Sequence, residues 1–108
     1  MIKSKTRLAQ TSVADCLRAA RKRIERPDRW FGPRLPLYPE KAECAYLAIA
    51  NQELPPWLQH QTIETFKKAI SIKHIISWND APSRTHAQVL AAFDKAIRLA
   101  EQRKEPTP

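Results

Sequence analysis

A single glycine, Gly32, stands in 108 residues. Glycine is the residue that supplies left-handed backbone and close approach to a phosphate without a steric penalty. With only one, glycine-rich phosphate loops, dinucleotide fingerprints and collagen-like repeats are excluded. Valine occurs only at Val13 and Val89 while alanine is abundant, which argues against an all-β sandwich or barrel. The expected fold is all-α, a small single-domain bundle of about four helices.

Proline sets the boundaries. Pro27 must end the first helix, because its ring and missing N–H cannot continue the ladder. That helix is expected over 12–26, capped by Thr11 or Ser12, with Asp15 favouring the positive end of its dipole. Val13, Cys16, Leu17, Ala20 and Ile24 recur at helical spacing as one apolar stripe. Residues 27–39 hold four prolines and the glycine, yet also Trp30, Phe31, Leu35, Leu37 and Tyr38. Each such side chain gains about 1.5–3 kcal/mol on burial, so this stretch reads as an ordered loop packed on the helices. A second helix is expected over 40–53, apolar nearly all round and so central, ended by Pro55-Pro56. A third is expected over 62–77, with Trp57–His60 as a separate turn and a β-strand at Ile75-Ile76 as the alternative. Thr85 and Gln88 form a Thr-x-x-Gln capping box for a last helix over 86–103. Residues 1–10 read as a flexible basic arm, 11–103 as the domain and 104–108 as a frayed tail.

The net charge of +8 is unevenly placed. Residues 1–34 hold ten bases against three acids and 35–108 nine against eight. A basic face carried by Arg18, Arg21, Lys22, Arg26 and Arg29 suits an anionic partner, nucleic acid or an acidic protein. Trp30, Phe31 and Tyr38 lie just downstream, where they could stack on unpaired bases. The competing reading makes the aromatics core and the arginines solvated. No helix-turn-helix is expected, since the first inter-helix connection is a 13-residue proline-rich loop.

The densest polar constellation is Trp78-Asn79-Asp80 followed by Arg84-Thr85-His86. One reading makes Asp80 and His86 acid–base partners, or two ligands of a metal, in an enzyme or a small-ligand or metal binder. The other makes the segment a turn: Asn79 ends a helix in left-handed conformation, Asp80 pairs with Arg84, and Thr85 caps the next helix. His60 and His74 lack ligand spacing with His86, and Cys16 and Cys44 lack a CxxC spacing, so no metal or other cofactor is expected. Both cysteines sit among apolar neighbours, as buried reduced thiols of a cytoplasmic protein would. No run of 18 apolar residues could span a membrane, and the N-terminus lacks the apolar core of a secretory signal.

Asp15-Cys-Leu-Arg-Ala-Ala-Arg, Ile24-Glu-Arg-Pro-Asp-Arg-Trp30, Cys44, Trp78-Asn-Asp-Ala-Pro-Ser-Arg-Thr-His86 and Val89–Ile97 together resemble a family of small uncharacterised bacterial and phage proteins. The resemblance covers most of 13–100, rests chiefly on the Trp-Asn-Asp…Arg-Thr-His element, and brings no activity with it. Tyr46-Leu47 stands where that family carries a small residue. The leading expectation is a small non-enzymatic binding module with a basic face. An enzyme or ligand binder built on Asp80, Arg84 and His86, and a phage-derived accessory protein acting through a helical surface, are the alternatives.

Overall fold

The computed structural model describes residues 12–33 and 42–103. The basic arm, the tail, Thr11 as a cap, and Leu35, Leu37 and Tyr38 of the loop lie outside the described residues. The described chain is helical: α1 (Val13–Arg23), a 3-10 turn (Pro27–Arg29), α2 (Ala45–Ala50), α3 (Pro56–Ala69), α4 (Ile75–Asn79) and α5 (His86–Arg103). The described residues thus form five α-helices where about four were expected.

Helix α1 begins at Ser12, whose Oγ accepts from the Asp15 N–H at 3.1 Å. Its expected stripe is its buried face: Val13, Cys16, Leu17 and Ala20, continued by Ile24 beyond the helix end. It stops at Arg23, short of Arg26. The Ile24 N–H turns back to the Arg21 carbonyl, and Arg26 is extended, as a residue before proline must be.

The helix expected over 40–53 shrinks to α2. Trp30 and Glu43 form an isolated parallel bridge: the Glu43 N–H donates to the Arg29 carbonyl at 2.8 Å, and the Glu43 carbonyl accepts from Phe31 at 3.0 Å. Backbone groups spent on that bridge cannot also join a helical ladder, so Cys44 is extended and becomes the N-cap. The helix expected over 62–77 is two helices. Trp57–His60 is the first turn of α3, because Pro56 stands at the first helical position, where no N–H is needed. α3 closes on Ser71 at φ 56°, with the Ile72 N–H donating to the Lys67 carbonyl and the Ser71 N–H to the Lys68 carbonyl. This is the Schellman ending, with serine in glycine's usual place. Ile75-Ile76 is helical in α4, not a strand.

α5 packs against α1 and α3, and α2 sits against α1, α3 and α4. Phe66 of α3 and Phe93 of α5, both fully buried, meet with ring centroids 4.7 Å apart at the centre of the core. Cys16 and Cys44 are buried and are not joined in a disulfide. Burial pushes the Cys44 thiol up; the backbone N–H groups at the start of α2 act against this, and the Asp80 charge adds to it.

Candidate functional site

The Trp-Asn-Asp…Arg-Thr-His element is a structural junction in geometry. Asn79 is fully buried, and all four of its hydrogen-bonding positions are used. Its Oδ1 accepts from Trp30 Nε1 at 2.7 Å and from the Ala45 N–H at 3.0 Å. Its Nδ2 donates to the Phe31 carbonyl and to Asp80 Oδ1, each at 3.0 Å. Asn79 is the last residue of α4 and is not left-handed; among the described residues the left-handed ones are Glu53 and Ser71. Arg84 does not pair with Asp80. Its Nε donates to the Trp78 carbonyl at 2.9 Å, its Nη1 to Gln88 Oε1, and its guanidinium lies 4.2 Å from the Trp78 ring centre. The expected capping box is present: the Thr85 N–H donates to Gln88 Oε1 and the Gln88 N–H to Thr85 Oγ1.

His86 reaches back across the chain to the end of α1. Its Nε2 lies 2.7 Å from the Ile24 carbonyl. A carbonyl only accepts, so that nitrogen carries the hydrogen. The imidazole also rests on Trp30, ring centres 5.7 Å apart. Trp30 is 7% exposed and bonded to Asn79, so it is core and offers no face to a base. Gly32 explains how the loop closes over it: a Cβ there would sit 2.2 Å from the Trp30 ring. Among the described residues no three His, Cys, Asp or Glu side chains gather where a metal could be held.

The basic residues of α1 are mostly matched by acids. Arg18 pairs with Asp15 at 3.0 Å and with Glu101 of α5. Arg21 Nε lies 2.8 Å from Asp94, and Arg26 pairs with Asp28 at 2.9 Å. Lys22 is exposed, and Arg29 is half-buried beside the bridge. Arg23, which the sequence did not single out, donates from Nε and Nη2 to Glu43 at 2.8 and 2.7 Å. Burial pushes the Glu43 carboxyl up, but hydrogen bonds from Arg23 and Asn51 and the nearby Arg23 and Arg29 charges outweigh it, leaving it below the ordinary glutamate range. Arg23 is raised, chiefly by its bond to Glu43 and against its own burial.

The surplus of positive charge collects elsewhere. An open groove of about 520 Å³ runs between α3, the turn after it and the end of α5. His60, Lys67, Lys68, Lys73 and Arg103 line it, with Glu64 as its one carboxylate. Glu64 bonds Lys67 at 3.0 Å, and the buried Thr65 hydroxyl accepts from Arg103 at 3.2 Å, holding that guanidinium on the groove wall. Lys68 and Lys73 are exposed and pair with no carboxylate among the described residues. A second groove of about 330 Å³ adjoins it, sharing Lys67 and Lys73 and floored by Tyr46, Ile63, Ile75 and Ile76. The sequence reading missed this place. Three lysines on α3 and its turn become a site only when the last turn of α5 brings Arg103 beside them.

No helix among the described residues is long and apolar enough to cross a membrane. No curated protein and no solved structure matches the chain. A family model does match, over residues 8–99, and agrees with the resemblance to uncharacterised proteins at that level. The chain belongs to this family of unknown function (DUF6197).

Proposed function

We propose that the protein is a non-enzymatic binding module whose groove between α3 and the end of α5 takes a polyanionic partner. The observation that carries this is the distribution of free charge. The arginines of α1 and of the turn after it are largely spent on Asp15, Asp28, Glu43, Asp94 and Glu101, whereas the groove sets four fixed cations against Glu64 alone. A concave wall of one sign raises the local potential and gathers polyanions. The basic-face reading moves with this charge, from α1 to the groove. The polar cluster at Asp80, Arg84 and His86 is assigned no chemistry, because Asp80 accepts from Asn79 while Arg84 and His86 hold backbone carbonyls.

Retention on immobilised heparin tests this. Lys68→Gln/Lys73→Gln and Lys22→Gln/Lys95→Gln lower net charge equally, but only the first pair lies in the groove. The groove variant should elute at clearly lower salt than the other. Equal elution of the two would remove the groove from the argument.

A further inference from the structure

We propose that the polyanion is a single-stranded nucleic acid, its phosphates lying along Lys67, Lys68, Lys73 and Arg103 and its bases stacking on Trp57. This rests on the binding-module reading and names the partner for the same groove. Trp57 is 48% exposed, one of two large hydrophobic side chains left out in solvent among the described residues. The other, Ile76, floors the adjoining groove. Trp57 is the second residue of α3, so one helical turn separates it from His60 and Gln61, which line the cationic groove. Trp57, Gln61, Glu64 and Lys68 recur at steps of four, three and four, which stacks them in one row along the helix. The indole and Lys68 therefore share a face, about 16 Å apart along the helix axis.

Cations alone would serve any polyanion. A bare indole at the end of a cationic track is specific to unpaired bases, because every base offers a π-face and a duplex hides it. An acidic peptide would satisfy the lysines and leave the indole without a partner. Tyr46 lines the adjoining groove together with Lys67 and Lys73, a second aromatic ring beside the same cations.

The test is fluorescence anisotropy of a labelled oligothymidine of about 15 nucleotides, titrated with the full chain. Polyglutamate and a duplex of similar length serve as competitors. The oligothymidine should bind more tightly than either competitor. Trp57→Ala should weaken it roughly tenfold, and Trp57→Phe should restore most of the loss. Lys68→Gln/Lys73→Gln should lower the slope of log K against log salt by about 1.4. Both sites are exposed, and unchanged melting temperatures would show that the variants fold. Oligothymidine binding indifferent to Trp57, or a competitor binding equally well, would overturn the single-strand assignment while leaving the polyanion reading in place. Failure of all three polyanions to bind would overturn both.

Discussion

Asn79 carries more of this structure than any other polar side chain. Four hydrogen bonds from one carboxamide join the end of α4 to Trp30, to the Phe31 carbonyl and to the start of α2. Removing it would orphan the Trp30 and Ala45 N–H groups together and take a donor from the Phe31 carbonyl, and each orphaned buried group costs about 1–3 kcal/mol. Asn79→Ala should therefore lower stability by about 3–5 kcal/mol in a denaturant titration, whereas Asp80→Ala, at an exposed residue whose carboxylate accepts only from Asn79 among the described residues, should cost less than about 1 kcal/mol. Losses of equal size would mean that Asp80 shares the anchoring role. The importance of the Trp78–His86 segment is legible in the sequence; the division of labour within it is not. Trp30 and Asn79 lie 49 positions apart, and nothing local to either residue announces that they meet. The two caps, by contrast, are complete within four residues, and both were readable.

The elements were legible where their signals are local and obscured where a special conformation falls on an ordinary residue. The stripe of α1 follows directly from helical spacing. The break between α3 and α4 does not, because its left-handed position is filled by Ser71 and not by glycine. A left-handed conformation costs an L-residue roughly 1–2 kcal/mol, a penalty glycine escapes. Ser71→Gly should accordingly raise stability by about 0.5–1 kcal/mol, read as an increase in melting temperature. A loss would show that the Ser71 side chain makes a contribution of its own at the turn. The groove lies directly beside this turn, so a stabilised turn also offers a way to examine binding with the lysines left in place.

Across the whole molecule, ion pairs do the work of joining segments distant in sequence. Glu43 gathers Arg23 from α1 and Asn51 beyond α2, while its backbone pairs with residues 29 and 31. Because its folded carboxyl lies below its ordinary value of 4.5, the stability it contributes is fully present above that value and is lost as pH falls through the lower folded one. Glu43→Gln should therefore be less stable than the parent at neutral pH, and the gap should close on acidification below about 4.5. A gap unchanged between neutral and acid pH would show that the carboxylate charge contributes nothing there. Charge totals did not reveal this arrangement, since they count Arg18, Arg21 and Arg26 as a face when each has its own acid.

The closest partner of the first helix is the last one. α5 lies along α1, Arg18 reaches Glu101 and Arg21 reaches Asp94 across it, and His86 seals the final carbonyl of the α1 turn. Contacts of such wide sequence separation form only after a long loop has closed, which slows folding relative to a bundle built from neighbouring hairpins. During synthesis, α1 leaves the ribosome with its apolar stripe bare, and α2 and α3 cover it only in part until α5 follows. The chain should thus complete its core in one late cooperative step, and a nascent fragment ending before His86 should expose Cys16 to thiol reagents that the finished domain excludes.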